Sequence, residues 1–170
     1  MNKIYIIGPV GSGKSTLAKA LSKKLNIKYY ELDMVIWDEN ERKRTDEEIK
    51  EIFDGIMSQD SWIIEDVGRN TFAEGFRRAD VVYYIDLKPA LIYKRCIMRW
   101  IKQKLGLEPY NYKPTLKGLK DMLGWARSNT KKRDKRIASA KELSNNVQLL
   151  TLKDVNRMIK EEKYGDSKNK

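Results

Sequence analysis

The octapeptide Gly8-Pro9-Val10-Gly11-Ser12-Gly13-Lys14-Ser15 fits the pattern G-x-x-x-x-G-K-[ST]. The chemistry this spacing offers is anion binding. Glycines let the backbone curl until successive N–H groups converge into a nest for phosphate oxygens. A helix opening near Lys14 would add the positive end of its dipole. Gly8, Gly11, Ser12, Gly13, Lys14, Ser15 and Thr16 are therefore the expected nucleotide-binding set. Within it, Lys14 is expected to reach the β- and γ-phosphates, and the Ser15 hydroxyl to ligate Mg²⁺. ATP and Mg²⁺ are the implied cofactors.

Other residues are candidates for the reaction that would follow. Glu65 and Asp66 close the run Trp62-Ile63-Ile64, where a carboxylate can hold Mg²⁺ directly or through water. Asp33 follows Ile27–Leu32, and is a candidate to orient an acceptor or take a proton from its hydroxyl. Arg69, four residues past Glu65, suits a bidentate grip on an acceptor's phosphate or carboxylate. Arg95 and Arg99 lie at i, i+4 and share a helix face. With Arg127, and Lys131 or Arg133 as further candidates, they would stabilise charge on a transferring phosphoryl group.

These residues need elements to position them. Lys3-Ile4-Tyr5-Ile6-Ile7 reads as a buried strand ending at Gly8, followed by helical spacing of Leu17, Ala18, Leu21 and Leu25. Ile27–Leu32, Trp62–Ile64, Val81–Leu87 and Val147–Leu152 are the further strands, the last followed by a terminal helix. Residues 38–60 carry Ile49, Ile52, Phe53 and Ile56 at helical intervals, with Thr45 and Glu48 as a capping box. Leu91–Leu105 is another helix. Strands alternating with helices predict an α/β fold with a parallel sheet covered on both faces.

Composition narrows the class. The chain has 170 residues, 41% of them hydrophobic, which suits one domain with a real core. It holds no His, which excludes a Ser-His-Asp triad and a His-built zinc site. Its one cysteine, Cys96, excludes an internal disulfide and reads as a small buried apolar residue. No apolar run approaches the ~18 residues of a membrane span. Met1-Asn2-Lys3 leads into a strand rather than a secretory leader, so a cytoplasmic protein is expected.

The net charge of +11 is uneven. Residues 91–136 hold 14 basic and 3 acidic side chains, an excess equal to that of the whole chain. Such a field implies an anionic partner. Trp100 and Trp125 lie within it and are expected to pack inside a lid. Residues 161–170 read as a flexible tail.

The order of strand, phosphate loop, Asp33, a strand-end carboxylate with Arg69, and the Arg95/Arg99 helix resembles the adenylate kinase-like small-molecule kinases. Lys3–Gly8, Tyr29-Tyr30-Glu31-Leu32-Asp33, Trp62-Ile63-Ile64-Glu65 and Arg99-Trp100-Ile101-Lys102-Gln103-Lys104-Leu105-Gly106 are similar to the FlaR-type DNA topology modulation proteins. The resemblance runs to about residue 155. It implies a three-layer P-loop core with sheet order 2-3-1-4-5, an acceptor-side insert over about 34–60 and a helical lid over about 99–132. It also sets Glu65 and Arg69 on the Asp and Arg of those kinases' Asp-Gly-x-Pro-Arg segment. Here Asp66 stands for the Gly and Gly68 for the Pro, and the extra acid would repel an acceptor phosphate.

Two readings follow. The first is a kinase moving the γ-phosphoryl of ATP to a nucleotide or hydroxyl metabolite. The second is an ATP-binding, DNA-associated protein touching phosphates through 91–136. No helix-turn-helix or zinc finger is legible, and arginines of a lid account for much of the charge, so the kinase is the preferred reading and nucleic acid the alternative partner.

Overall fold

The computed structural model describes residues 1–108 and 113–165; Tyr110 and Tyr112 of the basic segment lie outside them. Five short apolar runs form β1 (Lys3–Ile7), β2 (Tyr29–Glu31), β3 (Trp62–Asp66), β4 (Val81–Ile85) and β5 (Val147–Leu150). All pair in parallel, in the order β2-β3-β1-β4-β5. A parallel sheet must be covered on both faces, and its side chains alternate between them. Ile4 and Ile6 join Leu17, Leu21, Ile63 and Ile85 in one buried cluster, backed by α1 (Lys14–Leu25). Tyr5, Ile7, Trp62 and Ile64 join Phe53, Ile56, Phe72 and Phe76 in the other.

The second cluster is roofed by α2 (Leu32–Ile36), α3 (Asp46–Met57) and α4 (Ala73–Arg78), the last preceded by a 3₁₀ turn at Asn70–Phe72, together with Ile137 and Ala140 of a later helix. The expected strand through Leu32 ends one residue earlier. Leu32 and Val35, spaced i, i+3, are both buried, so the chain turns helical and Asp33 sits in the first turn of α2 rather than at a strand end. The helix expected within 38–60 is α3, and its Thr45–Glu48 capping box is formed in both directions.

Beyond β4 the chain runs through α5 (Pro89–Lys104), α6 (Leu116–Lys131) and α7 (Arg133–Leu143), and after β5 through α8 (Leu152–Gly165). Helix α8 extends into the stretch expected as a tail; 166–170 lie outside the described residues. Trp100 ties α5 to the start of α6 by donating from Nε1 to the Thr115 carbonyl at 3.0 Å. Trp125 does not pack inside the lid: its side chain is 61% exposed on α6. Among the described residues, no helix is long and apolar enough to cross a membrane.

The C-terminal ends of β1, β3 and β4 meet at one edge, with Ile6 opposite Glu65 and Ile7 opposite both Asp66 and Tyr84. In open α/β sheets that edge is where ligands bind. Because α3 packs Ile49, Phe53 and Ile56 into the second cluster, its Thr45 cap is a stability element. Thr45→Ala removes a cap contributing about 1 kcal/mol. It should lower the thermal midpoint by about 2–4 °C, followed by circular dichroism, with catalytic rate unchanged.

Candidate active site

The phosphate loop is built by exclusion. Gly11 adopts φ +79°, and a Cβ there would lie 2.7 Å from Cys96 Sγ and 3.3 Å from the Ile92 carbonyl oxygen. Only a residue without a side chain lets the loop seat on α5 this closely. Gly13, at φ +98°, is the N-cap of α1 and offers no side-chain acceptor to the helix. The leading amides of α1 therefore have no intrahelical partner. The helix dipole adds to them, an arrangement suited to polyphosphate. Arg95 braces the loop from α5, donating from Nη1 to the Ser12 carbonyl at 2.8 Å. The Ser12 side chain is fully buried beneath it, its Oγ unpartnered.

Lys14 lies within the loop and is buried. Its Nζ donates to the Pro9 carbonyl at 3.3 Å and stands 3.7 Å from Glu65 Oε2. Glu65 accepts from Ser15 Oγ at 3.1 Å through Oε1, while the buried Oε2 has no hydrogen-bond partner. Burial pushes the Glu65 carboxyl above its ordinary value. Lys14 and the Ser15 hydrogen bond oppose that rise, and the negative charges of Glu31 and Asp33 add to it. A buried carboxylate oxygen without a donor, next to a hydroxyl and an amide nest, matches a hard divalent cation's needs. Mg²⁺ takes one or two protein oxygens and completes its octahedron with phosphate and water. Ser15 and Glu65 fit that role.

Asp66 does not join them. Adjacent strand residues point to opposite faces, so Asp66 turns away from Glu65 into the other layer. One Asp66 oxygen accepts from the Gly68 and Arg69 amides at 2.7 and 2.6 Å, and the other takes the Arg69 guanidinium. The expected second metal carboxylate is instead the anchor of the loop that carries Arg69. The guanidinium then reaches Asp33, donating from Nη2 to Oδ1 at 2.5 Å. Asp33 and Arg69, both expected on the acceptor side, are thus brought together.

Sequence reasoning missed Arg136. It rises from α7 behind this pair, its Cδ 3.4 Å from where a Cβ on Gly68 would stand. Its Nη1 is buried without a partner. Burial pulls its guanidinium below the ordinary value, with Asp66 and Tyr84 opposing. Its only sequence signal is membership of the basic segment.

The remaining arginines are spread out. Arg99 extends along α5, half exposed, with Nε 3.9 Å from Glu108 Oε1. Arg127 lines an open groove between α5 and α6 with Tyr93, Ile97, Leu123 and Gly124. Among the described residues, neither makes a hydrogen bond or ion pair with the loop. Arg133 is committed to Asp86, donating from Nε and Nη2 at 2.8 and 2.6 Å. It pins α7 to the end of β4 and is not free to meet a phosphoryl group. Thr16 is exposed on the first turn of α1.

A Gly-rich turn between a parallel strand and a helix, with Lys14, Ser15 and an opposed strand-end carboxylate, defines a P-loop nucleotide-binding fold. Residues 4–104 match the family model described as AAA domain, and the chain belongs to that family. Among curated relatives it is similar to shikimate kinase of Legionella pneumophila (strain Corby), 33% identical over 76 residues. That match covers 42% of this chain and 41% of the relative. Shikimate kinase of Sulfurihydrogenibium sp. (strain YO3AOP1) is 43% identical over 54 residues, covering 32% and 30%. The chain thus matches less than half the length of these relatives.

Solved structures share the whole fold at low identity. A shikimate kinase from Acinetobacter baumannii, in complex with shikimate, superposes with a TM-score of 0.59 at 15% identity, covering 100% of this chain and 95% of that one. A gluconokinase from Sinorhizobium meliloti 1021 gives 0.56 at 14%, covering 98% and 92%.

The raised Glu65 value carries a pH signature. A carboxyl whose folded value exceeds its unfolded one stabilises the fold below the unfolded value and loses that contribution as pH rises through the folded one. Glu65→Gln, which cannot ionise, should therefore raise the thermal midpoint of the nucleotide-free protein at pH 7.5. That gain should shrink as pH falls towards 4.5, checked by melting curves across pH. Mg²⁺-dependent activity should be lost at every pH.

Proposed function

We propose that the protein is a kinase that transfers the γ-phosphoryl of ATP to a hydroxyl of a small anionic metabolite. The observation that carries this reading is the Lys14–Glu65–Ser15 cluster set against the amide cradle of the loop. The similarity to shikimate kinases, and the fold shared with a gluconokinase, support the same chemistry.

Catalysis by this class is mostly positioning and charge stabilisation. The loop amides and the Lys14 ammonium neutralise the β- and γ-phosphate oxygens. Ser15 and Glu65 would hold Mg²⁺, which when bound would draw charge from those oxygens. Asp33 orients the acceptor hydroxyl and receives its proton as the oxygen attacks phosphorus and the bond to the ADP oxygen breaks. Arg69 holds Asp33 in place through its Nη2 hydrogen bond. Arg95, already against the loop, is the lid-side cation for the equatorial oxygens, and Arg99 and Arg127 serve only if the lid moves. In this reading 34–60 is the acceptor-side insert and 99–132 the lid of a single domain over 1–160.

Charge selects the acceptor. Asp33 and Asp66 face the Arg69 and Arg136 guanidiniums, so these four side chains together carry no surplus charge. A balanced edge offers little to a dianionic phosphate, which favours a hydroxyl metabolite of low charge over a nucleoside monophosphate.

Within the adenylate kinase-like group, the resemblance to FlaR-type proteins supports kinship with them without requiring DNA contact. Arg95, Arg133 and Arg136 of the basic segment spend their charge inside the protein, on the Ser12 carbonyl, on Asp86 and beside Asp66.

Lys14→Ala should abolish ADP release in a coupled assay that screens shikimate, D-gluconate and other hydroxy acids with Mg-ATP. Its circular dichroism should keep the folded signature while its melting midpoint falls, because the substitution removes a buried cation from beside Glu65. Phosphoryl transfer retained by that variant contradicts the reading.

A further inference from the structure

The basic segment 91–136 carries more charge than the nucleotide site absorbs, and much of the remainder lies on α5 and α6. Helix α5 has no acidic residue, and Asp121 is the only one on α6. Among the described residues these two helices make one ion pair, Arg99 with Glu108. Lys104, Lys120, Arg127 and Lys131 are therefore unpaired cations.

Those four are not scattered. On α6, Lys120, Gly124, Arg127 and Lys131 stand at i, i+4, i+7 and i+11, the spacing of one helix face. Gly124 and Arg127 line the open groove between the helices, so Lys120 and Lys131 extend the same rim. On α5, Tyr93, Ile97, Ile101 and Lys104 repeat at i, i+4, i+8 and i+11, and Tyr93 and Ile97 line the groove from the other side. Its floor is apolar. Tyr93 and Leu123 lean on the first hydrophobic cluster, whereas Ile97 joins neither cluster and is 40% exposed. Eleven residues of helix rise about 16 Å, so the groove is about three turns long.

An apolar floor between unpaired cations calls for a ligand that is apolar along one line and acidic on its flanks. A helix meets that demand because it satisfies its own backbone. An extended chain would press unpaired N–H and C=O groups against Tyr93, Ile97 and Leu123, which offer them nothing. A nucleic-acid backbone would meet the cations and leave the floor without an apolar partner.

We propose that the α5–α6 groove is a docking surface for an acidic amphipathic helix of a partner protein, about three turns long. Its apolar residues sit on Ile97 and Leu123, and its carboxylates meet Lys104, Lys120, Arg127 and Lys131. The charge complementarity is local to the groove, and the proposal does not depend on the kinase reading.

The test uses the full chain and a fluorescein-labelled synthetic peptide of about 14 residues, with Leu at i, i+4, i+7 and i+11 and Glu on the flanks. Fluorescence anisotropy should show saturable binding. A peptide of the same composition with its leucines shuffled off one face should bind at least about tenfold more weakly, and Ile97→Asp should cost the intact peptide about as much. Lys104→Gln combined with Lys120→Gln should weaken binding about fivefold, a loss that shrinks at about 1 M salt. Circular dichroism should match wild type in every variant; if Ile97→Asp does not fold, the lysine pair and the shuffled peptide decide.

Overturning results are no binding of the intact peptide at low salt, equal binding of the shuffled one, or an affinity that neither folded variant changes. Duplex DNA binding more tightly than the peptide, weakened by the lysine substitutions and indifferent to Ile97→Asp, overturns the proposal in favour of nucleic acid.

Discussion

A carboxylate buried at the end of β3 is the constraint around which the rest is arranged. Glu65 has one oxygen on the Ser15 hydroxyl and the other without a donor, and Lys14 is 3.7 Å away. Burying such a group costs free energy unless something offsets it. The fold keeps it at the point where β1 hands over to the phosphate loop. Ile6 lies opposite Glu65 across the β1–β3 ladder, so the parallel register fixes the distance between carboxylate and loop. The loop is fixed in turn by the missing side chain of Gly11, which lets it rest on Cys96 and Ile92 of α5.

The other side of the sheet edge follows from the alternation of strand side chains. Glu65 and Asp66 are neighbours in sequence and opposite in space. One faces the phosphate loop; the other anchors Arg69, which orders Asp33. Two adjacent acids thus divide between the phosphate loop and the Arg69–Asp33 pair. Arg136 joins the second group from α7, beside Asp66 and Gly68, and α7 is held there by the Arg133–Asp86 pair at the tip of β4. A chain of short contacts therefore links β3, β4 and α7 around one cleft.

Much of this was legible in the sequence wherever local pattern decides the outcome. The apolar run Lys3–Ile7 before the glycines, the Thr45–Glu48 box and the alternation of strands with helices are all local signals, and each element formed. Asp33 lost its strand because the buried pair Leu32 and Val35 sets a helical period that a strand reading overlooks. Asp66 was read as a partner of Glu65 because the third strand was ended at Ile64. Carried two residues further, the period of two separates them. Arg136, Arg99 and Arg127 were not separable in sequence. All are cations in one basic segment, and only the packing of α5, α6 and α7 decides which one meets Asp66. Trp125, expected inside the lid, is exposed for the same reason: helical spacing gives a face, not its neighbour.

The central claim is that the glycine-bounded turn and Lys14 grip a polyphosphate. Isothermal titration of the folded protein with Mg-ATP, with adenosine as the control, addresses it most directly. The account predicts saturable one-site binding of Mg-ATP and no measurable binding of adenosine at the same concentrations. Absence of heat with Mg-ATP at millimolar levels, or equal binding of adenosine, would contradict it.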